Sequence, residues 1–488
     1  MTGRRGAGRG DSGHVPGRPA PRPGIAVAAV AAIAAATAGA GLATQAATPG
    51  GAASTASTAS AARASPPGAS TAARSGGARP YRAVADAAAL ADASAALGDL
   101  GLALLRDTPG ANAVVSPLAV ATVLGMVQSG AEGATEREIE ALFGGARAGA
   151  QAMRVALPAL SAQLRGGAAA SRDVASPVSQ AARVWVDTAV AKDMPGGFRR
   201  RIAQRHAADA MVLSFADAEA ARAQINGWAA QHTAGRVKDL LPPGSVARST
   251  QVALTAALHF RSAWDQPFDA GRTETRPFTT STGVPGSVPT LNDERAIAQA
   301  VVEGTQLYAL PFASGFDLVV AMPAAAGAGA TAGTAAPAAP AGQVDALLER
   351  LRGATFARWH SELKAQAPVR CSFSMPKLAF APKAGSAKAS LQRLGVQRAF
   401  TDRAELRPML GRLSGTAHVD DVHHAAGITL DEWGGEAVAA AAATVKPKSL
   451  APALPACAVD RAFAFVVMHR ASGAPLFVGR VGDPAKAQ

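Results

Sequence analysis

Cysteine is almost absent from this chain of 488 residues: only Cys371 and Cys457 occur. Two thiols permit at most one bridge, which excludes a disulfide framework, and they are too few for a zinc site of their own. Charge is sparse too, at 17% of residues, and leans one way, with 48 Lys and Arg against 35 Asp and Glu and a formal net charge of +13. The excess sits mostly at one end. Residues 1–80 hold Arg4, Arg5, Arg9, Arg18, Arg22, Arg63, Arg74 and Arg79 against Asp11, a net of +7 that leaves +6 for the other 408 residues. That remainder is unremarkable for its length, and no basic run is interleaved with aromatics, so nucleic acid is not expected as a partner.

Catalytic signatures are missing as well. There is no Gly-x-Ser-x-Gly elbow, and neither cysteine sits in a recognisable catalytic motif. The glycines of Gly327-Ala-Gly329-Ala-Thr-Ala332 mimic a dinucleotide-binding turn, but Pro337 and Pro340 would break the helix whose N-terminus must face the phosphate. His418, Asp420, Asp421, His423 and His424 form the densest cluster of potential metal ligands. On a strand only His418, Asp420 and His424 can share a side, and a structural histidine is the better reading. No metal, no cofactor and no enzyme activity are therefore expected.

Apolar material is plentiful, at 49% of residues, enough for a large core, although much of it is alanine. Gly24 to Ala43 is an uncharged apolar run behind an Arg-rich start and ahead of small residues. This is the order of a signal peptide with processing near Ala46 or Ala47, so 1–46 is expected to be removed and the product secreted; an uncleaved anchor is the competing reading. Residues 47–83 are Ser, Thr, Ala, Gly and Pro without apolar periodicity and read as a disordered linker. The folded part then spans 84–488, with a low-complexity loop insert at 324–343. Leucines at helical spacing mark a helix over 84–106, and two more follow between Leu118 and Phe143. Ala182 to Asp187 and Gln251 to Trp264 are strand-like, whereas Ala218 to Ala234 is helical. Helices early and strands late predict an α+β domain with mixed or antiparallel sheets.

Specific motifs then occur in order. Asn112-Ala-Val-Val-Ser116-Pro117-Leu118, Gly130-Ala-Glu-Gly133-Ala-Thr135 and Ile139 are followed by Ile225-Asn226-Gly-Trp228 and Thr233-Ala-Gly235. Trp264 with Pro267-Phe268, Ser374-Met-Pro376-Lys377, His424-Ala-Ala, Asp431-Glu432-Trp433-Gly434 and Pro475-Leu-Phe477-Val-Gly479-Arg480 complete the series. Over residues 84–488 the chain resembles the serpin family. The resemblance implies helices around large mixed sheets, an exposed reactive loop at 432–456, and a monomer that traps serine proteases. It also implies a polar cluster closing the main sheet, including Ser116 and His424, with Trp264 nearby. Ala119 and Ala256 fall where the family normally has a serine and an asparagine, so two hydrogen-bonding side chains of that cluster are missing.

The loop can also be read physically. Between two strand-like segments lies Gly434, Gly435, Glu436, Ala437, Val438, Ala439, Ala440, then Ala441 to Ala443 and Thr444, followed by Lys446-Pro447-Lys448-Ser449. As a strand, Gly435, Ala437, Ala439, Ala441 and Ala443 share one face, entirely small and uncharged, while Glu436 falls on the other. Sixteen steps from Glu432 to Lys448 at about 3.3 Å give roughly 50 Å, the scale of a whole domain. Lys446 precedes proline, a poor cleavage partner, whereas Lys448 precedes a small serine. The attacked bond is therefore expected at Lys448-Ser449, with Leu450-Ala451 as the alternative. Suicide inhibition of a trypsin-like serine protease is the leading expectation, and a non-inhibitory binding or carrier protein is the runner-up.

Overall fold

The computed structural model describes residues 86–166, 177–192, 194–324, 342–415, 417–435 and 454–486. Helices are α1 (Ala87–Asp107), α2 (Pro117–Gln128), α3 (Gly133–Ala141), α4 (Gly145–Gln151), α5 (Leu157–Gly166), α6 (Gly196–His206), α7 (Ala218–His232), α8 (Gln343–Arg350), α9 (Gly353–Ala365), α10 (Lys388–Arg393) and α11 (Arg407–Leu410). Asp86 caps α1 by accepting from the Ala89 amide at 2.7 Å, and the leucines at 97, 100 and 104 are buried. Ser116 caps α2 in the same way, with Pro117 at the first helical position, and all twelve residues of α2 are buried. This helix is thus interior on every side.

One sheet has five strands: β2 (Val178–Asp187), β3 (Asp209–Leu213), β4 (Val252–Phe260), β11 (Leu378–Ser386) and β12 (Val419–Leu430), in the order β11-β12-β4-β2-β3. Every residue of β4 is buried, as a continuous apolar run in a central strand should be. Its two faces meet different partners. Leu254, Ala256, Leu258 and Phe260 belong to the main core, into which α2 also packs. Ala253 and Ala257 face the layer built by Ile225 and Ala229 of α7 with Leu240 and Leu241 after it. The neighbours β12 and β4 run parallel, with Val422 beside Leu254, His424 beside Ala256 and Ala426 beside Leu258.

The second sheet contains β1 (Asn112–Val115), β6 (Glu274–Thr279), β7 (Pro285–Val302), β8 (Thr305–Pro311), β9 (Phe316–Pro323), β10 (Val369–Pro376), β14 (Ala456–Ala458), β15 (Phe463–His469) and β16 (Pro475–Val481). Its order is β1-β16-β15-β9-β8-β7-β10-β14, with β6 added on β7, so β14 is a terminal strand. A two-stranded pair joins β5 (Ser262–Ala263) to β13 (Gly434–Gly435). The α+β class with mixed sheets agrees with the sequence reading. Bounds differ in detail: the strand expected at 182–187 starts at Val178, and the one expected to run through Trp264 breaks at Arg261 into β4 and β5. The helix expected to reach Ala234 stops at His232 because the Thr233 hydroxyl donates to the Ala229 carbonyl and Ala234 turns to a φ of 51°.

Candidate functional site

At the end of β12 the chain reverses within four residues. The Asp431 carboxylate accepts from the amides of Trp433 (2.8 Å) and Gly434 (3.1 Å), and the Asp431 amide donates to the Gly434 carbonyl (3.0 Å). Trp264 holds this turn from the side, its indole N–H donating to the Asp431 carbonyl at 2.8 Å while its ring stacks on Phe312 at 4.3 Å. Gly434 has a φ of 128°, and a Cβ there would stand 2.3 Å from the Ser262 carbonyl oxygen. Only glycine fits. The reversal lays β13 antiparallel on β5, with Gly434 opposite Ala263 and Gly435 opposite Ser262. A Cβ on Gly435 would lie 3.3 Å from the Phe260 ring, so position 435 faces the main core.

Glu432 anchors the same turn. Its carboxylate accepts from Lys377 Nζ at 2.8 and 3.0 Å and from the Thr273 hydroxyl at 2.7 Å, and its carbonyl accepts from the Phe268 amide at 2.8 Å. Burial alone would raise its pKa, but the bonds from Lys377 and Thr273 outweigh that and leave it below the usual glutamate value.

Beneath the seam between β12 and β4 lies the polar cluster expected from Ser116 and His424. The Ser116 amide donates to His424 Nε2 at 3.0 Å, and the Ser116 hydroxyl donates to the Leu476 carbonyl at 2.8 Å. Burial pushes the His424 pKa down to about 4, so the ring is neutral and Nε2 is an acceptor. Ala119 and Ala256 are both fully buried in apolar surroundings, and neither side chain can donate across the seam. Asp420 supplies a different tie: its carboxylate accepts from the amides of Gln251 (2.7 Å) and Val252 (3.1 Å), pinning the start of β4 to the start of β12.

The five clustered acidic and histidine residues do not converge. A register shift between Val419 and Asp421 breaks the simple alternation, Asp420 is taken up by backbone amides, and His424 faces Ser116. His423 stands 3.9 Å from Asp421, with its pKa lowered by burial against the opposing pull of that carboxylate. Among the described residues no group of three or more His, Cys, Asp or Glu side chains is placed to hold a metal. Glu436, Ala437, Val438, Ala439, Ala440, Lys448 and Ser449 lie outside the described residues, as do the segments 1–46 and 47–83 and the interior of the 324–343 insert. Thr273 carried no sequence signal, and the partners of two named residues were hidden: Lys377 belongs to a recognised motif and Asp420 to the His/Asp cluster, but Asp420 bonds amides 169 and 168 residues away.

Cys371 and Cys457, whose pairing the sequence left open, are bonded with Cα atoms 6.0 Å apart, on the parallel neighbours β10 and β14.

The five-stranded sheet thus has a parallel central seam between β12 and β4, and a glycine turn after β12 leads the chain back onto β5. Residues 97–484 match the family model of the serpins, serine protease inhibitors. The chain belongs to the serpin family. It is 27% identical over 390 residues to serpin-ZXA of Oryza sativa subsp. japonica, covering 78% of this chain and 91% of that one. To a serine protease inhibitor of Cyanea capillata it is 26% identical over 391 residues, covering 77% and 94%. Similar solved structures include mouse protein-Z dependent protease inhibitor, with a TM-score of 0.66, 20% identity and coverage of 82% and 100%. Human thyroxine-binding globulin complexed with thyroxine has a TM-score of 0.68 at 19% identity, covering 81% and 99%. Both share the fold.

Proposed function

We propose that this protein is a secreted, monomeric suicide-substrate inhibitor of trypsin-like serine proteases, with Lys448-Ser449 as the attacked bond. The observation that carries the reading is the β13–β5 pairing. β5 follows β4 after the break at Arg261, and carrying the register of Gly434 opposite Ala263 through that break would pair Ala437 with Phe260, Ala439 with Leu258, Ala441 with Ala256 and Ala443 with Leu254. Those four β4 residues form its core face. The all-alanine face of the loop therefore meets the packed interior, and Val438, Ala440, Ala442 and Thr444 meet the α7 side. Because β12 and β4 are parallel, a strand entering between them antiparallel to both can bond on each edge.

The chemistry needs only the protease's own machinery. Its serine oxygen attacks the Lys448 carbonyl carbon, Ser449 leaves as the new amine, and an ester joins Lys448 to the protease. Insertion of the freed loop then carries that ester along the sheet before water reaches it. Opening the sheet breaks one ladder between β12 and β4 and insertion makes two. The net gain is one ladder of roughly ten bonds at about 1 kcal/mol each, on the order of 10 kcal/mol.

The test is to mix the protein with trypsin and run denaturing electrophoresis. A covalent complex and a new N-terminus at Ser449 are expected; cleavage without complex refutes inhibition, and a new N-terminus at Ala451 moves the reactive bond. A second reading, a carrier for a small apolar molecule, is favoured by a cavity of about 240 Å³ beneath α9, lined by Ala298, Val319, Leu363 and Met468 with His360 and Lys364 among its polar residues. Full cleavage without complex, together with uptake of an apolar dye that α9 substitutions abolish, would select it.

A further inference from the structure

Glu432 is held by a segment that is itself held from behind. Two of its contacts, the Phe268 amide on its carbonyl and the Thr273 hydroxyl on its carboxylate, come from residues 266–273, the irregular stretch and short helical turn between β5 and β6. Such a stretch has no ladder of its own to fix it. Three residues of β7 supply the support. The Asn292 side-chain amide donates to the Arg272 carbonyl at 3.0 Å, and the Asp293 carboxylate accepts from the Arg272 guanidinium at 3.0 Å. Arg295 donates to the carbonyls of Gln266 at 3.1 Å and Pro267 at 3.3 Å, and its guanidinium carbon stands 3.5 Å from the centre of the Phe268 ring.

Asp293 joins the two arms. Its Oδ1 accepts from Arg272 and its Oδ2 accepts from Arg295 at 3.2 Å, while the Glu294 amide, donating to Oδ1 at 2.8 Å, fixes its rotamer. Arg272 adjoins Thr273 in the chain and Arg295 packs on Phe268, so each arm ends on one of the two bonds to Glu432. A strand of the second sheet thereby reaches the turn that follows β12 in the first.

This is a poor way to gain stability. The Arg295 side chain is only 5% exposed, its Nε finds no acceptor among the described residues, and burial pulls its pKa down against the opposing attraction of Asp293. Taking such a pair out of water costs about as much as its attraction returns. What the pair supplies is direction, because a guanidinium donates only along the fixed axes of its plane. The outer pairs, Glu294 with Arg272 at 3.8 Å and with Arg370 at 3.5 Å, are exposed and contribute little of either kind.

We infer that Asp293 and Arg295 are positioning residues for the reactive loop: acting through Thr273 and Phe268, they fix Glu432 and so the direction in which the chain leaves β12. Their part in the reaction rests on the loop reading proposed above; the placement of Glu432 does not.

The experiment uses three variants of the full chain. Arg295→Met keeps apolar length beside Phe268 and removes the buried charge, Asp293→Asn keeps the shape and removes the charge between the arms, and Glu294→Gln disturbs only the outer pairs. Hydrogen exchange at the Phe268 amide, melting temperature and the fraction of trypsin-cleaved protein that ends as covalent complex are measured for each. Arg295→Met and Asp293→Asn should speed exchange at Phe268 roughly tenfold, the change that about 1.4 kcal/mol gives, and lower the complex fraction at least about threefold. Arg295→Met should nevertheless melt within about 2 °C of the wild type, and Glu294→Gln should match the wild type in all three. Unchanged exchange at Phe268 overturns the inference, as does an equal loss in Glu294→Gln. A melting temperature that falls together with faster exchange at amides throughout the protein makes the pair merely structural and overturns it too. So does faster exchange at Phe268 with an unchanged complex fraction. Should Arg295→Met not fold, Asp293→Asn decides alone. If the wild type itself forms no complex, the loop reading fails, and exchange at Phe268 still decides whether Asp293 and Arg295 place Glu432.

Discussion

Lowering the pH should weaken the seam of the main sheet through one residue. His424 is fully buried with its pKa pushed down to about 4, and its Nε2 accepts the Ser116 amide proton. In the unfolded chain the same histidine titrates near 6.5. As pH falls between those values the unfolded chain binds a proton that the folded protein refuses, so stability is present above about pH 6.5 and is lost towards pH 4. The difference of about 2.5 pKa units, at about 1.36 kcal/mol each, is about 3 kcal/mol. For a folded unit of roughly 400 residues, with an unfolding entropy of about 2.1 cal/mol/K per residue, that is a fall of roughly 4 °C in Tm. Other groups titrate in this range, so the measurement is a difference: Tm from pH 7 to pH 4 for the wild type and for His424→Gln, whose amide oxygen can still accept from Ser116 but cannot titrate. The wild type should lose about 4 °C more than the variant across this range. Parallel curves would refute the assignment of a neutral, acceptor His424.

Further substitutions test the loop and its hinge. Ala437→Arg sets a charge against the core face beside Phe260, so it should turn the inhibitor into a substrate, with the covalent trypsin complex lost and the cleaved product increased; an unchanged yield of complex refutes the register. Asp420→Asn removes the charge from two hydrogen bonds that join β4 to β12 and should lower stability by about 1–2 kcal/mol in urea unfolding; an unchanged unfolding midpoint refutes that role. Gly434→Ala demands a φ near 128° from an L side chain and a Cβ 2.3 Å from a carbonyl oxygen, so a loss of at least about 2 kcal/mol is expected by the same assay. Conversion of Gly435 to serine presses a Cβ to 3.3 Å from the fully buried Phe260 ring without a backbone clash, so it should cost less than Gly434→Ala in the same assay.

The fold was legible wherever residues carry a local demand. Leucines at helical spacing mark α1, and the apolar run within Gln251 to Trp264 contains the buried central strand β4. What stayed hidden depends on partners distant in the chain. No local pattern tells that Asp420 reaches the amides of Gln251 and Val252, that Lys377 reaches Glu432, or that a shift at Val419 defeats strict alternation in β12. Two cysteines allowed a bridge without requiring one; their pairing depends on β14 returning beside β10 after the whole loop has intervened. The alanine-rich segment after Gly435 shows the reverse case. Its two faces are evident from alternation alone, yet which of them would turn inward in the proposed insertion is argued from the register of two glycines on β5.

The bridge also has a topological consequence. Cys371 and Cys457 close a ring of the chain with a sequence separation of 86, and Lys448-Ser449 lies inside that ring. A cut anywhere within a ring opens it without dividing the molecule. The 40 residues from Ser449 to Gln488, which include both β15 and β16, would remain covalently attached after cleavage, and would part from the rest only when the sulfurs are reduced and the sheet is unfolded.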